Sequence, residues 1–349
     1  MSAAGAGPGA EANRSRFVDL VFQGGGMRGI GLVGGFAVLA EQGYLPQRVA
    51  GNSAGAIVGS LVAAGYAPAE LYEILSTLDF RRFEDLEWSH RLPLLPTLSL
   101  LTDLGMYKGD AFREWLQELL AAKGVRTFRD LRYIDPDHPE IGPLYKLQVI
   151  ASDLTQSCAL VLPQDATRLG IDPDDLEVAL AVRMSMSIPL FFEPVRMRHP
   201  ETGTEHLIVD GSLFSNFPVW LFDSPSTPRW PTFGLRFLET DPRTPVLPSV
   251  PLEPGHRDRV HQDIAFLRSL VHFTLEAHDR FSLERADYTR TITISTLGVR
   301  STEFDLARER VLALYAEGRA SAIRFLQVWN FDDYIQEFRT PPLMNADAV

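Results

Sequence analysis

The chain has 349 residues, 45% of them hydrophobic, and a formal net charge of −12. That is ample apolar material for a globular core, in one large α/β domain or two smaller ones. The acidity, with no run of clustered Lys and Arg, speaks against a nucleic-acid-binding class. One cysteine, Cys158, leaves no partner for an intrachain disulfide. It reads as a small buried hydrophobe in a chain that a reducing compartment would suit.

Residues 1–15 are rich in Ala, Gly and Ser without an apolar stretch, and read as a disordered arm rather than a signal peptide. Phe17 to Phe22 reads as a buried strand running into Gly24-Gly25-Gly26-Met27-Arg28-Gly29. A helix is predicted over 28–42, although Gly31, Gly34 and Gly35 would each cost it roughly 1 kcal/mol. Close approach to a sheet or a neighbouring helix is the expected compensation, and Gly43 is a natural stop. A short strand at 48–50 leads into Gly51-Asn52-Ser53-Ala54-Gly55, and a small-residue helix follows over 54–64.

Beyond a helix at 70–78, residues 88–107 are apolar, interrupted by proline and irregular. A helix over 109–122, a strand over 144–152 with a short partner at 159–162, and a helix over 176–186 come next. A strand at 205–209 ends at Asp210-Gly211-Ser212. The remainder predicts a strand at 232–237, a long helix at 259–285, a strand at 289–296 and a helix at 305–328. No run approaches the roughly 18 apolar residues of a membrane-spanning helix. Strands alternating with helices predict a mainly parallel sheet covered on both faces. No internal repeat or linker divides the chain. The expectation is one domain over 16–340, with its motif core at 16–222 and a helical extension at 255–340.

The chemistry concentrates in three motifs. In Gly-x-Ser-x-Gly the glycines permit a sharp strand-to-helix turn that lifts the serine hydroxyl above the sheet edge, so Ser53 is the candidate nucleophile. Gly24, Gly26 and Gly29 also fit a dinucleotide fingerprint, but that fingerprint wants an acid about 20 residues on, at the end of the second strand. Here the second strand runs into the serine turn, and Glu41 lies on the helix. An oxyanion hole is the better reading, with the N–H groups of Gly25 and Gly26 facing a tetrahedral intermediate and Arg28 adding positive charge in the first turn. The base is less clear from residues alone. His256, His261, His272 and His278 follow Asp210, one in a Pro-rich loop and three within the long predicted helix. Asp210, at a turn after a strand, could itself serve as base once burial raised its proton affinity.

Together these motifs resemble the patatin-like phospholipases, whose pattern is a Gly-Gly-Gly-x-Arg-Gly oxyanion motif, a Gly-x-Ser-x-Gly elbow and an Asp-Gly-Gly or Asp-Gly-Ala motif. Gly24 to Gly29, Gly51 to Gly55 and Asp210-Gly211 match, and Ser212 departs from the usual residue while remaining small. A fourth block, Arg183-Met184-Ser185-Met186-Ser187-Ile188-Pro189 with Phe192 and Pro194, and a continuation at Asn216-Phe217-Pro218, extend the likeness over 16–222. The resemblance implies a three-layer α/β/α sandwich and a Ser53–Asp210 dyad. It also implies an oxyanion hole at Gly24, Gly25 and Gly26 with Arg28, and acyl-ester hydrolysis on lipids without metal or cofactor. Phospholipase A or lysophospholipase chemistry is expected first. A triacylglycerol lipase or transacylase comes next, and a non-hydrolytic lipid- or nucleotide-binding module is the alternative from another class.

The acyl chain needs an apolar trench. Met184, Met186, Phe191 and Phe192, with Leu94, Leu98 and their neighbours in 92–106, are the candidates, and residues 90–107 are read as a lid or interfacial contact. The expected partners are a phospholipid or other acyl-ester lipid and, transiently, a membrane surface, with no nucleic acid. The expected location is the cytoplasm with peripheral membrane contact.

Overall fold

A computed structural model describes residues 16–78, 80–83, 107–135, 143–224, 227–238, 285–301, 303 and 306–339. The expected arm at 1–15, most of the helix at 259–285, and Leu94 and Leu98 with nearly all of the segment read as a lid lie outside these residues. The chain runs β1 (Phe17–Phe22), α1 (Gly29–Glu41), β2 (Leu45–Gly51), α2 (Ala54–Ala63), α3 (Pro68–Ser76) and α4 (Asp110–Ala122). Then come β3 (Arg132–Ile134), β4 (Pro143–Tyr145), β5 (Leu147–Asp153), β6 (Cys158–Leu162), α5 (Val178–Ser185), β7 (Val195–Arg198) and β8 (Glu205–Asp210). The last described elements are β9 (Thr232–Leu238), α6 (Arg285–Thr289), β10 (Thr291–Ser295), α7 (Arg308–Val328) and α8 (Phe331–Phe338).

The fold is an α/β/α sandwich around an eight-stranded sheet of order β10-β9-β1-β2-β5-β8-β7, with β6 also paired to β5. The pairings from β10 through to β5 are parallel, and those of β6, β7 and β8 are antiparallel. Parallel strands are buried on both faces and therefore read as near-continuous apolar runs, as β1 does from Val18 to Phe22. Its alternate residues divide the core. Val18, Leu20 and Phe22 join the main cluster with α1, α2, α4, α5 and α7, whereas Val21 packs on the other face with Ala50, Val219 and Phe222.

Three of the local differences have clear causes. The strand expected over 144–152 is two strands broken at Lys146, whose N–H turns aside to the Leu131 carbonyl at 2.8 Å. β4 pairs instead with β3 in a separate two-stranded sheet. The helix expected at 70–78 starts earlier, at Pro68. Proline suits the first helical position, and Glu70 Oε2 accepts the Ala67 N–H at 2.7 Å. The strand β7 and the helix α8 were not expected; α8 is capped by Asn330 Oδ1, which accepts the N–H groups of Asp332 and Asp333.

One strand aligns the site. Gly51, at the end of β2, lies opposite Val149 of β5. Asp210, at the end of β8, lies opposite Ala151 of the same strand. β2 runs parallel to β5 and β8 antiparallel to it, so both end within two residues along one ruler. The elbow and the aspartate turn therefore emerge side by side.

Candidate active site

Ser53 stands between β2 and α2 with φ 50° and ψ −127°, a left-handed conformation that a non-glycine residue rarely adopts. The turn is held from two sides. The Ser53 N–H donates to Ser185 Oγ at 2.9 Å, and Ser185 Oγ–H donates to the Ile150 carbonyl at 2.5 Å. Gly55 lets the new helix lie against β1, where a side chain would overlap the Phe22 carbonyl. Strain maintained by such surroundings is common where a reactive side chain must be presented.

Asp210 is fully buried. Its N–H donates to the Ser187 carbonyl at 3.0 Å, and its Oδ1 accepts the Ser212 N–H at 2.8 Å. Burial pushes its carboxyl up to about 6, opposed by the Ser212 N–H and by the hydroxyls of Ser53 and Ser212. Ser53 thus acts on the carboxylate, but no hydrogen bond of ordinary geometry joins the two: Oδ2 is buried with no hydrogen-bond partner among the described residues. Catalytic bonds of this kind are often long before substrate is bound.

The glycine loop corrects one expectation. The Gly24 N–H is engaged by Asn52 Oδ1 at 2.9 Å and by the Asn216 carbonyl at 3.3 Å, so Gly24 anchors the loop and offers no donor to a ligand. The N–H groups of Gly25 and Gly26 donate to no group among the described residues. Gly26 has φ 53°, and a side chain on it would overlap the Ser301 carbonyl. Arg28 is not a surface charge. It is 2% exposed, lies over the Phe237 ring at 5.1 Å, and its Nε donates to the Gly25 carbonyl at 3.1 Å. In a trans peptide N–H and C=O point opposite ways, so holding the Gly25 carbonyl turns the Gly26 N–H outward. Arg28 thus orients a donor.

Two features went unpredicted. The Ala54 N–H, first in α2, is likewise without an acceptor among the described residues; the residue after an elbow serine commonly supplies an oxyanion donor. Asn52, the variable position of the elbow, ties all three motifs together through Gly24, Ser212, Ser215 and Asn216. In the sequence Asn52 is only the variable residue of the elbow, because its partners are distant along the chain.

An apolar cleft opens over Ser53, lined by Gly26, Ala54, Ile57, Phe83, Tyr107, Met186, Ile188, Phe191 and Phe192. Met186 and Phe191 are therefore at the cleft. Met184 is not: it is wholly buried in the main core, because it lies within α5, whereas Met186 follows its last turn. Arg183 braces the wall. Its guanidinium donates to Ser187 Oγ and to the Lys108 and Glu193 carbonyls, and lies over the Phe192 ring. Among the described residues no group of three or more His, Cys, Asp and Glu could hold a metal ion, and no helix is long and apolar enough to cross a membrane.

A strained serine, a buried acid at the same sheet edge and two glycine N–H groups without acceptors among the described residues lie together beside an apolar cleft. The sequence matches the family model for patatin-like phospholipase over residues 20–223. The uncharacterized protein YqhO of Bacillus subtilis is 37% identical over 320 residues, covering 90% of this chain and 100% of that protein. The probable lipid hydrolase 463L of invertebrate iridescent virus 6 is 22% identical over 206 residues, 58% of this chain and 62% of the viral protein. Among solved structures, VipD from Legionella pneumophila shares the fold with a TM-score of 0.51 at 16% identity, over 90% of this chain and 67% of VipD. The chain belongs to the patatin-like phospholipase family, and so to a class of lipid acyl hydrolases.

Proposed function

We propose that the protein cleaves fatty acyl esters of lipids, as a phospholipase A or lysophospholipase, through Ser53 and Asp210. The carrying observation is the pairing of a strained Ser53 with a buried Asp210 on one strand register, beneath an apolar cleft. Ser53 Oγ attacks the ester carbonyl carbon and its proton passes to Asp210. The N–H groups of Gly25, Gly26 and Ala54 hold the tetrahedral oxyanion, with Arg28 fixing the Gly25–Gly26 peptide. Collapse breaks the ester C–O bond, and the leaving alkoxide takes the proton from Asp210. Water then attacks the acyl-serine, giving its proton to Asp210, and collapse returns that proton to Ser53 as the fatty acid leaves. The acyl chain lies along Met186, Phe191 and Phe192. Contact with a membrane surface is transient, at the cleft mouth, and a cytoplasmic location with peripheral membrane contact fits this reading.

Wild type and Ser53→Ala, incubated with mixed phospholipid vesicles, test this by mass spectrometry of released fatty acid and lysolipid. Wild type alone should release both, with a loss on the order of 10³-fold or more in Ser53→Ala. Asp210→Asn should lose nearly as much; activity within about tenfold of wild type would refute the dyad. Because the base must be charged, kcat/KM should rise through a pH near 6 and level off above it. If neither hydrolysis nor labelling of Ser53 by a covalent serine probe occurs, a non-hydrolytic binding module is the remaining reading.

A further inference from the structure

The cleft over Ser53 has a mouth and a floor. Of its lining residues, Gly26, Tyr107 and Phe191 are half-buried, whereas Phe83 is 2% exposed and Ile57 and Phe192 are 7% exposed. Ile57 follows Ser53 by four residues on α2, so it stands about one helical turn further along the same face. Phe83 has solid core behind it. Its ring lies 5.4 Å from Phe112, edge to face, and 5.3 Å from Trp115, both buried on α4. The wall at Phe192 is braced. The Arg183 guanidinium lies over that ring at 5.4 Å, the Tyr107 N–H donates to the Phe191 carbonyl at 2.9 Å, and the Glu193 N–H donates to the Tyr107 carbonyl at 2.8 Å. The free volume between these walls is about 50 Å³. A water-sized group, which a methylene nearly is, needs roughly 10–15 Å³ of such space. The cleft therefore has room for about three to five carbons beyond the ester carbonyl, far short of a fatty acyl chain.

On the hydrolase reading above, we propose that the cleft grips only the first few carbons of the acyl chain, and that Phe83 and Ile57 set how many. Each methylene inside leaves water for an apolar wall, which strengthens binding about fourfold. Carbons beyond the cleft leave between Tyr107 and Phe191 and stay against solvent or the lipid surface, where further lengthening adds little. The protein then senses the end of the chain next to the ester and accepts any length past it. Phe83 is the residue whose size matters most, because its ring separates the cleft from the aromatic core on α4. Ile57 stands where a larger side chain would fill the cleft from α2.

Two series of linear chains test this. On p-nitrophenyl esters of increasing acyl length, kept below their micelle-forming concentrations, kcat/KM should rise about fourfold per added carbon up to an acyl group of about four to six carbons and then level off. Linear methyl ketones carry the same chains on a carbonyl that is not turned over, and their binding, measured by calorimetry, should break at the same length. Phe83→Leu should move the break outward by about one carbon and Phe83→Ala by about three, whereas Ile57→Phe should move it inward by about one or two. A variant that is merely loosened loses affinity across the series without moving the break. Circular dichroism with thermal melting confirms that each variant is folded, and Phe83→Leu and Ile57→Phe carry the comparison if Phe83→Ala does not fold. A wild-type series that keeps rising evenly to about ten carbons, or a break that stays in place in folded Phe83→Leu and Ile57→Phe, would overturn the proposal. A ketone series that breaks and shifts as expected, in a protein that neither hydrolyses esters nor labels at Ser53, would keep the cleft and remove the hydrolase reading.

Discussion

Two glycine clusters lie a few residues apart in this chain and do opposite things. Gly25 and Gly26 keep their N–H groups out of any hydrogen bond among the described residues, and Gly26 adopts φ 53° to do so. Gly34, a few residues on, is an ordinary helical residue in α1. Its missing side chain lets the α7 backbone come against it, where a Cβ would overlap the Tyr315 carbonyl. Gly318 of α7 returns the contact, since a Cβ there would overlap the Gly31 carbonyl. In the loop, glycine leaves polar backbone groups unbonded among the described residues, as the proposed oxyanion hole requires. In the helix pair, it allows close packing between backbones whose polar groups are already paired. The first use gives up stability for chemistry, and the second recovers in packing the roughly 1 kcal/mol that each helical glycine costs.

Substitution with alanine separates the two uses. Gly26→Ala meets both an unfavourable φ and the Ser301 carbonyl, so the loop must move and take its donors with it. The expected result is a fall of about 10²–10³-fold in kcat on a soluble ester, the scale for loss of an oxyanion donor. Gly34→Ala must push α7 away from α1. Overpacking of this kind costs about 1–3 kcal/mol, and the rigidity of a backbone neighbour places it at the upper end. Urea unfolding should show a lower midpoint at unchanged slope, while the folded fraction keeps wild-type kcat. If Gly34→Ala lost kcat without losing stability, or Gly26→Ala did the reverse, the division between the two clusters would be wrong.

How much of this was legible in the sequence depends on how local each feature is. The placement of Ser53 and Asp210 at strand ends was readable because each sits in a short contiguous motif. The compensation for the α1 glycines was readable as a need, since a helix that carries three of them must gain something from a neighbour. That Gly24 would differ from Gly25 and Gly26 was not. The difference is made by Asn52, 28 residues away, and a string of glycines gives no sign of which N–H will be taken. Met184 and Met186 likewise look alike in sequence, but α5 ends at Ser185 and turns only the second toward the cleft. The helix α8 could have been found. Asn330 followed by Asp332 and Asp333 is an N-cap with acids in the first turn.

The proposed dyad should show the same exchange of stability for chemistry. Burial holds the Asp210 carboxyl near 6 when folded, against an ordinary aspartate value of 3.8. Below pH 3.8 it is protonated in both states and costs nothing. As pH rises through about 6 the folded protein must carry a buried charge, and stability falls by up to about 3 kcal/mol relative to acid. Asp210→Asn removes that charge. It should therefore be inactive yet more stable than wild type near pH 8, with the gain shrinking as pH falls through 6 toward 4. Melting both proteins across that range checks the sign, and a variant that is less stable at high pH than at low pH, relative to wild type, would contradict it.

Ser53 gives the smallest effect and the cleanest control on the strained turn. Its φ of 50° costs on the order of 1–3 kcal/mol for a residue with a Cβ. Ser53→Ala removes the nucleophile and keeps the strain. Ser53→Gly removes both, but adds about 0.5–1 kcal/mol of chain entropy lost on folding. The two terms leave the glycine variant ahead by roughly 1 kcal/mol. Both variants should be equally inactive, so activity cannot confuse the comparison, and only the unfolding midpoint should separate them. If Ser53→Gly were no more stable than Ser53→Ala, the elbow would hold no strain for the surrounding bonds to Ser185 and Ile150 to maintain, and the serine would be presented by packing alone.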